Sequence, residues 1–450
     1  MILESSTLKN MRQDAAKIFY EGLESIDPKV CIRHSCKLEQ NIFKVKDIEY
    51  DLNKFERIIV IGAGKAGASM ACAIEEIFQH RISDGIVIVK YDHVENLEKI
   101  DLVEAGHPVP DENGMAGAHK LLEMVQQADE KTLIISLISG GGSALMCLPA
   151  NGLTLEDKQK TSEILLGCGA TIHEINTIRK HLSRIKGGRL AKAAYPAHMI
   201  CFVLSDVVGD DLDTIASGPA VADSGTFAQC TKIIEKYGVE KYLPTAVLKH
   251  IKKGLRGLIP ETPKKGNPLF QNVSHTIIAS NINALLRAKR MAEQLGYNCL
   301  VLSSMIEGET KDVAAVHISI AREILNTGHP VKAPACILSG GETTVTIKGT
   351  GKGGRNQEFT LASAIKIKDL KHIVVLSAGT DGTDGPTDAA GAIADQTTVK
   401  RAINLQIDPT LFLKENNSYP FFDHLSDLLK TGPTNTNVMD LRIILVQSPS

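Results

Sequence analysis

A glycine-rich segment that contains a lysine follows an apolar run near residue 60. The segment reads VIGAGKAGASM, and Gly62, Gly64 and Gly67 have the G-x-G-x-x-G spacing of a dinucleotide-binding turn. Lys65 stands between these glycines, where a loop that cradles phosphate with its backbone normally has small neutral side chains. A nicotinamide nucleotide also needs an acidic residue near the end of the next strand, and Asp92 is the candidate. The segment alone leaves hydride transfer, phosphoryl transfer and a purely structural turn open.

A second glycine-rich segment, LISGGGSALM, follows a strongly apolar strand. Gly140, Gly141 and Gly142 let the backbone approach a bulky anion, and Ser139 and Ser143 can donate their hydroxyl groups. The segment is not a Walker A motif, because no G-K-[ST] follows. It predicts a phosphate-binding loop, with a flexible turn as the alternative.

Acidic residues follow the apolar strand HMICFVLSD. Asp206 ends this strand, where a carboxylate can act as a general base or bind a metal. Asp210, Asp211 and Asp213 come next, and we expect most of them to be solvated or to cap turns. Asp206 is therefore the acidic residue of this segment that we assign to chemistry.

A second acidic loop, SAGTDGTDGPTDAAG, contains Asp381, Asp384 and Asp388. Their spacing of three and four does not match a calcium-binding EF-hand. Magnesium takes only one or two carboxylates beside the phosphates of a substrate, and this loop can provide them. Asp381 and Asp384 are the predicted magnesium ligands, although Asp-Gly turn chemistry explains part of the pattern.

Two further loops carry a basic side chain. In KGTGKGGRNQEF, Arg355 offers a planar pair of donors for phosphate oxygens or a carboxylate, and a surface hairpin is the alternative. In GHPVPDENG, His107 stands in a loop shaped by two prolines, but a single histidine is more often structural than catalytic.

The set of loops as a whole favours phosphoryl transfer. That reaction needs donors around the phosphates, carboxylates for magnesium, and cations for the charge of the transferred group. Hydride transfer needs one cofactor-binding loop and far fewer charges. We therefore interpret the chain as a kinase.

The elements that must position these loops alternate between strands and helices. The continuously apolar strands RIIVIG, DGIVIV, KTLIISLISGG and HMICFVLSD alternate with helical segments, which predicts a parallel sheet covered on both faces. The second half repeats the pattern with HTIIAS, CLVLSS, PACILSGGETTVTI and KHIVVLSAG. A Lys-, Gly- and Pro-rich segment (252–268) separates the halves. We predict an amino-terminal α/β domain (1–258) with this sheet and a second α/β domain (259–450).

Composition excludes several other classes of protein. The chain has 450 residues, 43% of them hydrophobic, and a net charge of −2 from 50 basic and 52 acidic residues. This balance predicts a globular protein with neither nucleic acid nor a membrane as partner. The nine cysteines form no C-x-x-C motif, which is typical of reduced thiols, and no apolar run reaches the ~18 residues of a spanning helix. We expect a cytoplasmic location.

Several long motifs resemble the class II glycerate 2-kinases, in the same order along nearly the whole chain. Besides the segments quoted above they include AGHPVPDENG, ATIHEINTIRKHLSRIKGGRLA, LSDVVGDDLDTIASGP and ILSGGETTVTIKGTGKGGRNQE. Two positions near the end depart from the family pattern, where Asn435 replaces an expected glycine and Met439 an expected polar residue.

The resemblance implies transfer of the γ-phosphoryl group of ATP to the 2-hydroxyl of D-glycerate, with Mg²⁺ or another divalent cation. It implies a Rossmann-like domain that binds no nicotinamide, a carboxyl-terminal MOFRL domain and an active site in the cleft between the domains. The functional lysine of the family falls on Lys65 and its arginine on Arg355. ATP and D-glycerate are the expected partners, and we allow for a homodimer.

The residues assigned in this interpretation fall into three groups. The catalytic residues are Lys65, Arg355 and Asp206. The predicted nucleotide-binding residues are Gly62, Gly64, Ser139, Gly140, Gly141, Gly142, Ser143, Glu342, Asn356 and Thr380. The predicted metal ligands are Asp381 and Asp384. Two alternatives stay open, an NAD(P)-dependent hydroxypyruvate reductase and a non-catalytic protein that binds an anion or a sugar phosphate.

Overall fold

The computed structural model describes residues 2–447, which divide by their contacts into two units. The first unit comprises Pro28–Ile278. The second combines the chain before residue 28 with the chain after residue 278.

Helix α1 (Ile2–Glu24) belongs to the second unit. The helices of the first unit are α2 (Pro28–Ser35), α3 (Gly67–Phe78), α4 (Glu112–Gln126), α5 (Gly142–Leu145), α6 (Leu155–Gly167), α7 (Ile172–His181), α8 (Arg189–Ala194), α9 (Phe227–Tyr237) and α10 (Thr245–Leu255). Its strands are β1 (Cys36–Glu39), β2 (Ile42–Val45), β3 (Ile48–Asp51), β4 (Arg57–Ala63), β5 (Asp84–Lys90), β6 (Asp101–Ala105), β7 (Thr132–Ile138), β8 (His198–Leu204) and β9 (Val273–Ala279).

The large sheet of the first unit has the strand order β6-β5-β4-β7-β8-β9. Strands β6, β5, β4, β7 and β8 are parallel to one another. Every residue of β7 is buried, because the sheet is covered on both faces. The order reverses beside β4, since β5 lies on one side of it and β7 on the other. In open parallel sheets this switch point is where ligands bind.

Different elements cover the two faces of this sheet. Leu121 and Val125 of α4 and Leu190 of α8 pack in the core on one face. On the other face Phe43 of β2 contacts Phe78 of α3 and Phe202 of β8, with ring centroids 4.7 and 6.5 Å apart. Strand β2 belongs to a small antiparallel sheet, β1-β2-β3. The predicted Rossmann-like architecture is confirmed for this unit.

A separate apolar cluster joins α6, α7, α9 and α10. Leu165, Ile178, Phe227 and Val247 are buried in it, one from each helix. This cluster holds α6 and α7 as a rigid pair, which positions basic side chains that are described below.

The remaining helices of the second unit are α11 (Asn281–Gln294), α12 (Thr310–Thr327), α13 (Arg355–Ile367), α14 (Thr398–Asn404), α15 (Pro409–Lys414) and α16 (Ser418–Leu425). Its strands are β10 (Asn298–Ile306), β11 (Ala335–Gly341), β12 (Ile373–Gly379), β13 (Gly391–Asp395), β14 (Leu428–Leu429) and β15 (Asp440–Val446).

The sheet of the second unit is mixed, whereas the repeated sequence pattern predicted a parallel one. Its order is β10-β11-β15-β12-β13-β14, and within it only the pair β10 and β11 among the described residues is parallel. The last strand, β15, lies between β11 and β12 and is antiparallel to both. An apolar run shows that a strand is buried but carries no information about its direction.

The two units differ from the predicted domains in two respects. The segment HTIIAS, which we placed in the second domain, forms most of β9 at the edge of the first sheet. Helix α1, which we placed in the first domain, packs against α11 and β15 of the second unit. After this helix, Thr436 Oγ1 donates a hydrogen bond to Ile26 O at 2.9 Å. Neither an edge strand nor a terminal helix shows in its own sequence which sheet it will cover.

No helix within residues 2–447 combines the length and the apolar character that a membrane span requires.

Candidate active site

Lys65 lies at the carboxyl end of β4, in the turn that leads into α3. Its main-chain N–H donates a hydrogen bond to Gly140 O at 2.8 Å. The next residue, Ala66, donates its N–H to Ser139 Oγ at 3.1 Å, and Ser139 N–H donates to Ala63 O at 3.1 Å. These three bonds tie the lysine-containing turn to the loop 139–143, so the two glycine-rich segments form one structure.

The glycines of the first turn are required by packing against neighbouring strands. Gly64 has φ +146°, and a Cβ there would lie 2.0 Å from Ser139 Oγ. A Cβ on Gly62 would lie 2.4 Å from Leu137 O of β7. In a dinucleotide-binding turn the second glycine lets the pyrophosphate approach the backbone. Here Ser139 occupies the space beside that glycine, so the contacts of both glycines are with β7 and its loop.

The loop 139–143 offers main-chain donors next to a cation. Gly141 has φ +83°, and within residues 2–447 the N–H groups of Gly140 and Gly141 donate to no acceptor. A Cβ on Gly141 would lie 2.9 Å from Cδ2 of His107 and 3.5 Å from Cγ of Lys65. Successive N–H groups around a left-handed residue bind anions, and Lys65 adds a positive charge beside them.

The two serines of this loop have different environments. The Ser139 hydroxyl is buried and accepts the N–H of Ala66, so it links the two turns. The Ser143 hydroxyl lies 2.8 Å from Ser217 Oγ and accepts a hydrogen bond of 2.6 Å from Lys186 Nζ. Lys186 Nζ also donates to Ser143 O. Of the two predicted hydroxyl donors, Ser143 is the one that lines a cavity.

Asp206 is half-buried and follows β8, at the edge of the sheet that also carries the Lys65 turn. Two of the acidic residues after it form contacts within the protein, as we expected for most of them. Asp213 forms an ion pair with the buried Lys180, and Asp211 accepts a hydrogen bond from Thr214 Oγ1 at 3.0 Å. The predicted catalytic role of Asp206 stays a prediction.

Arg355 begins α13 in the second unit, and two carboxylates hold it. Its Nε donates to Asp440 Oδ2 at 2.8 Å, and its Nη2 donates to Asp440 Oδ1 at 3.0 Å. On the other edge of the guanidinium, Nη1 pairs with Glu342 Oε1 at 3.0 Å. Burial opposes the charge, but Asp440, Glu342 and Asp384 together raise the pKa of Arg355. Arg355 is therefore a fixed cation with one edge toward the exposed Glu342.

Asp384 caps the amino terminus of α13. Its Oδ1 accepts the N–H of Asn356 at 3.0 Å, and its Oδ2 accepts the N–H of Gln357 at 2.8 Å. Burial raises the pKa of Asp384 to about 7, against the effect of these two bonds. Both oxygens are thus committed to the helix, which disfavours the predicted role of Asp384 as a magnesium ligand.

Asp381 remains from the predicted metal pair. It is half-buried after β12, and its Oδ1 accepts hydrogen bonds from Thr383 N and Oγ1, both at 3.1 Å. Within the described part of the chain, no three His, Cys, Asp or Glu side chains form a group that could hold a metal ion. One carboxylate beside substrate phosphates is still enough for magnesium.

Two predicted nucleotide-binding side chains of the second unit are engaged internally. The buried Asn356 donates Nδ2 to Asp440 Oδ1 at 2.8 Å and accepts from Ser377 Oγ at 2.6 Å. The buried Thr380 donates Oγ1 to Met439 O at 2.7 Å. These contacts stabilise the base of the Arg355 site. Glu342, the third predicted residue, is the exposed partner of Arg355.

The two positions that depart from the family pattern both have left-handed backbone conformations. Asn435 has φ +55° where we expected glycine, and asparagine tolerates this conformation better than most residues. Met439 has φ +71°, and its carbonyl accepts both the N–H and the Oγ1–H of Thr380.

Sequence analysis missed four charged residues at these sites. Asp440 lies far from Arg355 in the sequence and could not be paired with it. Lys158, Arg179 and Lys186 surround Ser143, as described further below. One signal was available, because Lys158 stands on the buried stripe of α6 with Leu155 and Leu165.

Comparisons with known proteins show which families this architecture belongs to. Residues 14–252 match the family described as a domain of unknown function, DUF4147, and residues 335–440 match the MOFRL family. The fold and the sites thus define a two-domain α/β protein of the DUF4147–MOFRL class.

The relatives are more specific. The chain is 42% identical to the glycerate 2-kinase of Pyrococcus horikoshii, with 98% of each chain covered. It superposes on the crystal structure of glycerate kinase from Thermotoga maritima with a TM-score of 0.86 and 39% identity, over 97% of this chain and 100% of that one. A putative hydroxypyruvate reductase of Agrobacterium vitis is 40% identical, covering 97% and 94%. The chain belongs to the glycerate kinase family, which confirms the resemblance inferred from the motifs.

Proposed function

We propose that the protein is a glycerate 2-kinase, which transfers the γ-phosphoryl group of ATP to the 2-hydroxyl of D-glycerate. The products are 2-phospho-D-glycerate and ADP. One structural observation favours this reaction over hydride transfer: Ser139 fills the space beside Gly64 that a dinucleotide pyrophosphate would need. The turn instead presents Lys65 next to the main-chain donors of the loop 139–143.

The reaction forms a bond between the 2-hydroxyl oxygen and the γ-phosphorus. The bond from the γ-phosphorus to the β,γ-bridging oxygen breaks, and its electron pair leaves with ADP. Asp206 is the proposed acceptor of the hydroxyl proton. Lys65 stabilises the charge on the transferred group, and the N–H groups of Gly140 and Gly141 bind phosphate oxygens.

Arg355 is proposed to bind the carboxylate of glycerate or a phosphate oxygen. Asp440 orients the guanidinium from the buried side, whereas Glu342 is exposed and pairs with Nη1. An anionic substrate would therefore compete with Glu342 for this edge of Arg355. Placement of the active site in a cleft between the domains stays a prediction.

Asp381 is the residue that we propose for magnesium. A bound magnesium ion would neutralise part of the phosphate charge. Asp384 has no role in this proposal, because both of its oxygens bind α13.

The decisive experiment incubates the protein with ATP, magnesium chloride and either D- or L-glycerate, and identifies the product by ³¹P NMR. We expect a 2-phosphate from D-glycerate. A parallel assay follows NADH with hydroxypyruvate in the absence of ATP, because one relative carries the name of a putative hydroxypyruvate reductase. Oxidation of NADH without ATP turnover would reject the kinase in favour of that reductase.

A further inference from the structure

A cavity of about 750 Å³ lies in the first unit beside the loop 139–143. It is lined by Gly141 and Ser143 of the loop, by the proline-rich segment that follows His107, and by side chains of α6 and α7. Of the four lining lysines and arginines, Lys160 is exposed, and the other three, Lys158, Arg179 and Lys186, are buried or half-buried. We call these three residues the basic cluster.

The two lysines of the basic cluster are almost completely buried. Lys158 is 6% exposed and Lys186 is 2% exposed. Lys158 Nζ has no oxygen or nitrogen atom as a hydrogen-bond partner within residues 2–447, and its polar neighbour is the thiol of Cys147. Lys186 donates only to the carbonyl and the hydroxyl of Ser143. Arg179 donates Nε to Ser162 Oγ at a long 3.4 Å.

No carboxylate in the described part of the chain forms an ion pair with any of the three. Burial lowers the pKa of Lys158, and the neighbouring Cys147 opposes this effect. Burial, together with the charges of Lys158 and Arg179, lowers the pKa of Lys186 well below its ordinary value. Two exposed glutamates also line the cavity, Glu156 and Glu163, and Glu163 pairs with Lys160 at 2.9 Å.

Other buried cations of the protein have carboxylate partners. Lys180 is 3% exposed and lies between Asp213 and Asp223. Arg442, which is 1% exposed, pairs with Asp440 at 2.9 Å. A buried cation without such a partner costs several kcal/mol. The basic cluster therefore consists of cationic groups that the fold does not pair with a carboxylate, which is the arrangement of a binding site for an anion.

The size of the cavity and the side chains at its opening indicate which class of anion it binds. A volume of about 750 Å³ is within the range of pockets for ligands of drug size, and a three-carbon acid would fill little of it. Apolar side chains stand at the opening, since Val109 is 62% and Leu166 60% exposed. A nucleotide has the matching character, with an anionic polyphosphate at one end and, at the other, an aromatic base whose faces can pack against apolar side chains.

We propose that the basic cluster binds the phosphate groups of the nucleotide, with Lys158 and Arg179 as direct contacts and Lys186 as the residue that positions Ser143. This inference rests on the proposed function, because it assigns the nucleotide site of that kinase. Lys65 and the basic cluster then act on the same loop, one beside Gly141 and the other beside Ser143.

The test compares Lys158→Met with Lys160→Met by isothermal titration in the absence of glycerate. Both lysines are on α6 and line the cavity, but Lys160 is exposed and paired with Glu163. The ligands are ATP with magnesium chloride, sodium tripolyphosphate and D-glycerate, each alone. Loss of one charged contact should weaken binding of ATP and tripolyphosphate by about 10- to 100-fold in Lys158→Met. Lys160→Met should change both by less than about threefold.

A second measurement separates binding from folding. Methionine removes an uncompensated buried charge, so Lys158→Met without ligand should melt at the same or a higher temperature than the unchanged protein. The rise in Tm that ATP produces should become smaller in this variant, because tight binding stabilises the folded state. A lower Tm together with an unchanged ATP effect would assign Lys158 to structure and overturn the proposal.

The outcomes distinguish this inference from the proposed function. If the protein phosphorylates D-glycerate and Lys158→Met keeps the affinity for ATP, the kinase stands and the basic cluster is not its nucleotide site. A loss confined to D-glycerate binding has the same consequence. If no hydroxy acid is phosphorylated but tripolyphosphate binds in a Lys158-dependent way, the kinase fails and the phosphate site stands.

Discussion

Both carboxylate oxygens of Asp440 accept hydrogen bonds from the guanidinium of Arg355, at 2.8 to 3.1 Å. The two residues are 85 positions apart in the sequence and meet because β15 lies between β11 and β12. Asp440 also pairs with Arg442 at 2.9 Å. One buried carboxylate thus compensates two arginines, one of which we assign to substrate.

Asp440→Asn should lower the free energy of unfolding by about 3 to 5 kcal/mol, because it leaves the buried Arg442 without a carboxylate and Arg355 with the exposed Glu342 alone. It should also lower kcat/KM, since Arg355 loses its orientation. The measurements are urea unfolding and the glycerate kinase assay. The control is Asp388→Asn, which affects an exposed pair with Lys430 and should change stability by less than about 0.5 kcal/mol. If the two variants have the same free energy of unfolding, Asp440 does not stabilise the fold by compensating these arginines.

Lys65→Met should lower kcat by about 10² to 10³, because a cation that acts mainly in the transition state is lost. Steady-state kinetics with saturating ATP and D-glycerate provides the measurement. Lys90→Met, at the end of the neighbouring strand β5, is the control and should stay within about threefold. If folded Lys65→Met keeps near-normal activity, the assignment of Lys65 is incorrect.

Gly64→Ala tests whether the glycine turn is set by packing. A Cβ at Gly64 would lie 2.0 Å from Ser139 Oγ, so Ser139 must move and release Ala66 N–H. We expect a loss of about 3 kcal/mol or more in stability, measured by urea unfolding. Gly152→Ala is the control, because Gly152 also has a positive φ (+84°) but nothing within 4 Å. Its cost should be about 1 to 2 kcal/mol, and a similar value for Gly64→Ala would argue against the packing role.

His317 predicts a pH dependence of stability. Its Nδ1 donates to Val313 O and its Nε2 accepts from Ser339 Oγ, both at 2.8 Å, which defines the neutral tautomer. Burial lowers the pKa of His317 to about 4, with Arg442 acting in the same direction and the Val313 carbonyl opposing. The unfolded chain, with an ordinary pKa near 6.5, binds the proton more readily.

This contribution to stability is therefore present above pH 6.5 and is lost as the pH falls toward 4. Between pH 7 and pH 5 it amounts to roughly 2 kcal/mol. His317→Gln should reduce the difference between unfolding free energies at these two pH values by that amount. The exposed His80→Gln serves as the control and should leave the difference unchanged. If His317→Gln keeps the whole difference in unfolding free energy between pH 7 and pH 5, the pH dependence comes from other groups.

The positions of the loops in the first unit could be predicted from the sequence because parallel strands end at one edge of their sheet. The Lys65 turn, the loop 139–143 and Asp206 each follow a recognisably buried strand, and β4, β7 and β8 are indeed neighbours. Arg355 was found through a basic residue at the start of a helix after a glycine-rich loop. Apolar runs and glycine spacing thus predicted where the loops lie.

The roles of individual polar side chains were less accessible. Ser139 was predicted to bind phosphate, but its hydroxyl links two turns. Asp384 was predicted to bind magnesium, but it caps α13. A sequence motif shows that a polar residue stands in a loop, whereas its hydrogen-bond partner depends on which loop packs beside it.

The sequence by itself determined the family and the Rossmann-like sheet of the first unit, because these follow from local patterns and long motifs. The roles of Lys65 and Arg355 come from the same motifs and stay predictions. The tertiary structure decided how the charges are compensated. It placed Asp440 against Arg355, and it buried Lys158 among cations without a carboxylate. Compensation of a charge depends on residues that are distant in the chain but close in space. A local sequence pattern contains no information about which distant residues come close.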